Sequence, residues 1–241
     1  MSLQEKEKEE EQPVQVVVEK QFCSVTPTVL TVWKKSLLFS GDGGFTVFDS
    51  NGDLVFRMDI VNDTHNLLLM DAHGKPLLTL RRKLPSLHNR WEGFLGDKLE
   101  GQKPLFTVRR SSILPTSSSS VEVFMMSSTT YFSLMTSTVC ADYQVEGSFS
   151  QRCCTIYSAA SRRIAAEVKR KCGAQGTMLG KDVFSLCVEP GFDRAFMMGL
   201  IVILDHINPH DNLLNLLADD NSTPSPSLQG RAFDLCLEDA N

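Results

Sequence analysis

The chain has 241 residues, of which 42% are hydrophobic and 22% are charged, and its formal net charge is −5. This composition excludes collagen, a coiled coil, a disulfide-rich scaffold and wholesale disorder, and a chain of this length can bury a core without disulfides or a structural metal. The charge is uneven. Residues 1–11 carry a net charge of −3 and residues 219–241 one of −4, which leaves about +2 for the body between them.

The amino-terminal sequence MSLQEKEKEEEQ predicts an acidic, disordered tail over residues 1–13. A secretory signal needs a basic start and then an apolar stretch, and a transit peptide is rich in arginine and poor in acids, so the segment fits neither. We therefore expect a cytoplasmic protein. Peripheral association with the plasma membrane and entry into the nucleus stay open as alternatives.

An internal repeat occupies the middle of the chain, where FTVFDSNGDLVFRM (45–58) aligns with LLLMDAHGKPLLTL (67–80) at an offset of 22 residues. In each copy an aspartate is followed three residues later by a glycine. This spacing is typical of a type I turn, because the aspartate accepts hydrogen bonds from the backbone ahead of it and glycine tolerates a positive φ. Each copy therefore predicts a β-hairpin. The pairs are Asp49 with Gly52 and Asp71 with Gly74.

A third and degenerate copy of the hairpin covers residues 154–168, where Ser158 and Ser161 replace the aspartate and the glycine. Short, evenly spaced strands joined by turns predict a closed or nearly closed antiparallel barrel of about twelve strands. Side chains alone do not fill the interior of so wide a barrel. Further strands are predicted at 14–18, 28–33, 91–95, 104–110, 121–126, 131–136, 142–150 and 183–188.

The longest uninterrupted apolar run, Ala195 to Leu204, is the candidate for filling that interior. Ten residues make about 15 Å of helix, roughly half of a bilayer core, so the run does not predict a transmembrane span. It predicts a buried helix over residues 193–206, which Asp193 caps and Asn208-Pro209 ends. The expected fold class is all-β with one buried helix. It is a closed antiparallel barrel around a central hydrophobic α-helix, and it occupies residues 14–210.

Residues 211–241 predict an acidic, serine- and proline-containing tail. Within it, residues 219–230 have the composition of a solvated, disordered linker. Apolar and polar residues alternate weakly over residues 232–239, and this segment either adds a last strand or stays outside the barrel.

The sequence predicts neither an enzyme nor a cofactor or metal site. The seven cysteines are odd in number and none has C-x-x-C spacing, which argues for free thiols rather than disulfides or zinc. Acylation of the adjacent Cys153 or Cys154 is the alternative role. His206 and His210 are separated by Pro209, which breaks the helix that would align them. Motifs for nucleophilic, metal-dependent and nucleotide-dependent catalysis are missing from the sequence.

Three proposed strands end in clusters of basic residues. One interpretation is that these side chains project into water and protect sheet edges. The other is a positive rim that binds phosphates, because strands with the same direction would bring the clusters to one end of the barrel. Aromatic residues do not interleave with the clusters, which favours anionic phospholipid or phosphoinositide over nucleic acid. The candidate ligand-binding residues are Arg81, Arg82, Lys83, Arg109, Arg110, Lys169, Arg170 and Lys171.

Four segments in this order resemble the plant LURP-one-related family: GGFTVFDSNGDLVFRMD (43–59), LLLMDAHGKPLLTLRRK (67–83), RWEGFLG (90–96) and PLFTVRRS (104–111). The resemblance covers roughly residues 14–207. It implies a tubby C-terminal-like fold, in which a twelve-stranded barrel encloses a hydrophobic helix. It also implies a relationship to phospholipid scramblases and to tubby-like, membrane-tethered transcription factors, without an enzymatic activity.

The residues and the resemblance together lead to one main hypothesis. We expect a non-enzymatic module, in plant defence or stress signalling, that binds an anionic membrane surface or a protein partner. The alternatives are a regulatory protein that binds a partner and no lipid, and a scramblase-like protein that moves lipids.

Overall fold

The computed structural model describes residues 14–35, 44–61, 66–112, 120–126, 140–173 and 176–207. These residues form twelve β-strands, one α-helix and a single 3-10 turn at Lys20–Phe22. The elements are β1 (Thr28–Lys35), β2 (Gly44–Phe48), β3 (Leu54–Ile60), β4 (Asn66–Asp71), β5 (Pro76–Arg82), β6 (Trp91–Leu95), β7 (Phe106–Arg110), β8 (Val121–Met125), β9 (Tyr143–Ser148), β10 (Cys153–Ser158), β11 (Ile164–Arg170), β12 (Val183–Val188) and α1 (Arg194–Ile207).

The strands close into one barrel. Each strand is antiparallel to its neighbours in sequence, and β1 closes the ring on β12 through a register that pairs Thr28 with Val188 and Trp33 with Val183. The prediction of a closed antiparallel barrel of about twelve strands with one helix is confirmed. Since every neighbouring pair is antiparallel, all odd-numbered strands run in the same direction and finish at the same end of the barrel.

Strand side chains alternate between the inside and the outside of the barrel, as the pleat requires. On β1, Leu30 and Val32 are fully buried, whereas Trp33 is 55% exposed. The adjacent thiols on β10 follow the same rule, because Cys153 is exposed and Cys154 is buried. All six cysteines in the described ranges are free thiols.

The two predicted hairpin turns are confirmed. Gly52 and Gly74 have φ values of +88° and +85°. The Asp49 carboxylate accepts hydrogen bonds from the backbone N–H groups of Asn51 and Asp53 at 2.8 and 2.9 Å, and Asp71 repeats the arrangement. In the degenerate third hairpin, Arg162 takes the left-handed conformation with φ +54°, so the turn forms without a glycine.

Helix α1 is buried along almost its whole length, as the apolar run predicted. The Phe196 ring lies 4.9 Å from the Phe106 ring on β7 and 5.4 Å from the Tyr143 ring on β9. Gly199 faces β5 so closely that an added Cβ would lie 3.0 Å from the Leu78 side chain. The helix therefore packs against buried side chains of several strands.

Asp193 caps α1, as predicted, and also holds the amino-terminal segment. One carboxylate oxygen accepts hydrogen bonds from the N–H groups of Ala195 and Phe196, and the other accepts them from Val17, Val18 and Glu19. Asp193 is fully buried. The Asp193 carboxylate thus provides an acceptor for five backbone N–H groups, two at the start of the helix and three in the amino-terminal segment.

The predicted strand at 14–18 is wrong. Residues 14–18 are irregular, and Gln15 makes an isolated bridge to Phe192. The N–H groups of Val17 and Val18 donate to the Asp193 carboxylate instead of a neighbouring strand. The predictions for 1–13, 131–136 and 211–241 lie outside the described residues.

Candidate functional site

The structure places all three basic clusters at the same end of the barrel, because they follow β5, β7 and β11, which run in the same direction. We call this end the basic end; it comprises the final residues of the odd-numbered strands and the loops that follow them. The clusters after β5 and β7 are near neighbours, since β6 alone separates their strands. The cluster after β11 lies on the far side of the ring. The eight residues thus form an incomplete ring rather than one compact patch.

The cluster on β5 is partly neutralised by Glu92 on β6. Arg81 Nη2 lies 3.0 Å from Glu92 Oε2, and Lys83 Nζ lies 3.0 Å from Glu92 Oε1. Burial alone would raise the pKa of Glu92, but these hydrogen bonds and charges hold it below its ordinary value. The Arg81 guanidinium also lies 4.7 Å from the centre of the Phe94 ring. Arg81 therefore belongs to the wall of the barrel as much as to its rim.

The other two clusters contain similar pairs. Arg109 Nε lies 3.1 Å from Glu122 Oε2, and its guanidinium lies 4.6 Å from the Phe124 ring centre. Lys169 Nζ lies 2.6 Å from Glu167 Oε2, and this hydrogen bond raises the pKa of Lys169. Three acids thus face the eight basic residues, which leaves an excess of about five positive charges.

Arg82 and Arg170 are the two cluster residues that are exposed and have no ion-pair partner within the described part of the chain. Lys171 donates to the Thr31 hydroxyl at 2.5 Å. Half-buried Arg110 is held in the wall through its carbonyl, which lies 3.1 Å from Nδ1 of His88.

Sequence reasoning missed Lys35, which ends β1 at the basic end and is exposed. The signal was present, since Lys34-Lys35 is a basic pair at the end of a strand like the pairs on β5 and β7. Asp59 and Asp182 lie at the same end, and Lys35 and Arg90 offset them. The positive excess of the basic end therefore persists.

A buried charge network lies between α1 and the basic end. Asp205 on the helix has its carboxylate 2.8 Å from Lys34 Nζ and 3.6 Å from Arg152 Nη2. The Arg152 guanidinium lies between the rings of Phe149 and Phe184, at 4.3 and 4.2 Å from their centres. Burial lowers the pKa of Arg152, although Asp205 opposes the shift. This network connects the end of α1 to β1 and to the β9–β10 loop.

The opposite end of the barrel has a cleft of about 620 Å³. It is lined by Tyr143, Asp142, Ser158 and Cys140 among other residues, and no histidine is part of the described lining. Burial, with help from the charge of Asp142, raises the pKa of Tyr143 to about 12. The Tyr143 hydroxyl therefore stays protonated at neutral pH.

The family model described as LURP-one-related matches residues 28–205. The Arabidopsis thaliana protein LURP-one-related 5 is 50% identical over 204 residues, which cover 82% of this chain and 91% of the relative. LURP-one-related 12 from the same plant is 46% identical over 201 residues, covering 81% of this chain and 85% of the relative. An X-ray structure of an Arabidopsis thaliana protein matches with a TM-score of 0.58 at 28% identity and covers 80% of this chain and 98% of that one.

The fold is therefore that of a closed β-barrel protein with a known structural relative in plants. The chain belongs to the LURP-one-related family, and the resemblance seen in the sequence is confirmed. Within the described ranges, α1 is too short to cross a membrane and no other helix has the required length and apolar character.

Proposed function

We propose that this protein is a non-enzymatic binding module that docks on anionic phospholipid or phosphoinositide surfaces through its basic end. The observation that carries the proposal is the gathering of three basic clusters and Lys35 at one end of a protein whose net charge is −5. The proposed setting is the cytoplasmic face of the plasma membrane. The proposed role is in plant defence or stress signalling, as the family resemblance implies.

The proposal extends to the class of fold. We infer that α1 is the central hydrophobic helix of a tubby C-terminal-like barrel. Its side chains contact residues of β1, β5, β7 and β9, which are distributed around the ring. A helix that contacts strands on several sides supports a position inside the barrel.

The electrostatic attraction is large enough to be measured. A lysine or arginine near an anionic bilayer contributes about 1 kcal/mol. Three exposed cations of the basic end form none of the ion pairs described above, namely Lys35, Arg82 and Arg170, and they should therefore contribute about 3 kcal/mol together. Because these side chains are exposed, added salt should weaken their attraction to the bilayer. The Debye length is about 8 Å at physiological ionic strength, and exposed charges farther apart than this are largely screened.

The test is co-sedimentation with vesicles of phosphatidylcholine alone or with 30% phosphatidylserine or phosphoinositide. The informative variant is Lys35→Ala with Arg82→Ala and Arg170→Ala. Replacing Arg81 or Arg109 is less informative, because the loss of Arg81 would leave Glu92 with Lys83 alone and the loss of Arg109 would leave Glu122 without the ion pair described above.

The matched control removes three exposed lysines of the opposite end, Lys20, Lys98 and Lys103. We expect the first triple variant to lose most of its binding to anionic vesicles and the control to keep it. Equal binding by both variants, or equal binding to neutral vesicles, would contradict the proposal. A complete lack of vesicle binding would leave binding of a protein partner as the function.

A further inference from the structure

We propose that the basic end inserts apolar loop tips into the interface of an anionic bilayer, so that the barrel stands on the membrane by one end. The inference rests on the proposed function and deepens it. It adds a contact that depends on apolar burial to a contact that depends on charge. The two contributions predict different responses to salt and to mutation.

The observation is a set of exposed apolar side chains at the basic end. They are between 39% and 78% exposed and come from the end of β1 and from the loops β3–β4, β5–β6 and β11–β12. These elements border a continuous arc of the ring that runs from β11 through β1 to β6. The side chains are Trp33, Ile60, Val61, Leu84, Leu87 and Met178.

The apolar side chains alternate with the basic residues. Trp33 and Lys35 point outward from β1, two residues apart. Leu84 directly follows Lys83. Met178 pairs with Cys172 in the loop after β11, beside the hydrogen bond from Leu179 N–H to the Lys171 carbonyl. A bilayer surface that is anionic outside and apolar beneath complements this pattern, because tryptophan favours the interface and lysine can keep its charge in the headgroups.

The distribution of the set favours a broad partner. The elements that carry these side chains extend around the ring from β11 through β1 to β6, so a single peptide would reach few of them. Apolar exposure alone does not distinguish the two ends, because the opposite end also exposes Val14, Val16, Val25, Val29, Leu95 and Ile164. That end, however, carries the turn aspartates Asp49 and Asp71, which an anionic surface repels. Charge therefore selects which end meets the bilayer, and the apolar tips determine how deeply it enters.

The chain offers an internal reporter, because one of its two tryptophans is at the proposed contact and the other is buried. Trp33 is 55% exposed and Trp91 is 3% exposed. The experiment uses the full chain with Trp91→Phe and vesicles of phosphatidylcholine with 30% phosphatidylserine. We expect the Trp33 emission to shift to shorter wavelength and to be quenched by lipids with brominated acyl chains. If Trp91→Phe unfolds the protein, the emission spectrum of Trp33→Phe is subtracted from that of the wild type. The difference is the emission of Trp33.

The second measurement compares apolar variants of the two ends. Leu84→Ser with Leu87→Ser removes tips of the basic end, and Leu95→Ser with Ile164→Ser is the matched control at the other end. Full burial of a leucine is worth about 1.5–3 kcal/mol, so partial insertion of two should change vesicle affinity about tenfold. In 0.5 M salt, the wild type should keep a residual binding that the first variant loses.

The outcomes separate the two proposals. Vesicle binding without a Trp33 shift or quenching would overturn insertion and leave electrostatic docking intact. A lack of vesicle binding in low salt would overturn both. A Trp33 shift that depends on protein concentration without vesicles would assign this face to a second copy of the chain and overturn the inference.

Discussion

Lys34 and Asp205 form an ion pair, with Nζ 2.8 Å from Oδ2, although 171 residues separate them in the chain. Lys34 lies on β1, the first strand, and Asp205 lies near the end of α1. The pair therefore joins the first and last major elements of the described chain. Asp205 is largely buried and also faces Arg152, so its negative charge is opposed by two cations.

We expect Lys34→Met to destabilise the protein by about 3 kcal/mol. The substitution removes the nearer cation and leaves the buried Asp205 carboxylate with Arg152 alone, at 3.6 Å. Urea unfolding followed by circular dichroism measures the change. Lys35→Met is the control, since Lys35 points outward and should change the free energy of unfolding by less than about 0.5 kcal/mol. Equal effects of the two substitutions would show that the Lys34–Asp205 pair does not stabilise the fold.

A charge in the middle of α1 should prevent folding. Met198 and Ile201 are fully buried, and an unpaired carboxylate there would cost several kcal/mol against a total stability of about 5–15 kcal/mol. We expect Met198→Asp or Ile201→Asp to abolish the cooperative thermal transition. The volume-conserving Met198→Leu should cost less than about 1.5 kcal/mol. A soluble Ile201→Asp variant with a cooperative transition would contradict the burial of the helix.

Replacement of a turn glycine by valine should cost about 1–2 kcal/mol, because a branched side chain resists a positive φ. At Gly52 the cost is conformational alone, since an added Cβ would have no atom within 4 Å. At Gly74 the added Cβ would lie 3.2 Å from the mobile end of Arg57. Gly180→Val is a suitable control, because that glycine has open space and is not among the positive-φ residues. If chemical denaturation shows that Gly180→Val and Gly52→Val lower the free energy of unfolding equally, the predicted turn type is wrong.

The ion pairs of Glu92 should make stability depend on pH. The folded protein holds the pKa of this carboxyl below its ordinary value, through Lys83 and Arg81 and against the effect of burial. The contribution is therefore fully present above the unfolded pKa of about 4.3 and is lost as the pH falls through the lower folded value. The difference in unfolding free energy between the wild type and Glu92→Gln should narrow below about pH 4. A difference that stays constant from pH 3 to pH 7 would show that these charges do not interact.

Features set by local chemistry could be predicted from the sequence. The turn at Asp49 and Gly52 needs a carboxylate and a residue that tolerates positive φ, and both requirements lie within four residues. The apolar run of α1 and its Asp193 cap are equally local. Because neighbouring strands of the ring are antiparallel, β5, β7 and β11 run in the same direction. The position of the three basic clusters at one end could therefore also be predicted.

Features that depend on distant residues could not be predicted. The VQVVV segment has the composition of a strand, but its N–H groups donate to Asp193, which lies more than 170 residues away. The pairing of Arg81 with Glu92 depends on the register between β5 and β6, and the sequence of neither strand alone determines this register. Arg152 was missed because nothing around it in sequence distinguishes a buried arginine from an exposed one.

The order of elements has a consequence for how the protein is made. Helix α1 follows all twelve strands of the described chain, and its side chains pack against strands that the ribosome has already released. The ring also closes between Thr28 and Val188, which is a long-range contact that slows folding. Until residue 207 has emerged, the nascent strands therefore lack the helix against which their buried side chains pack. We expect synthesis to depend on chaperones that hold the chain open until this last helix arrives.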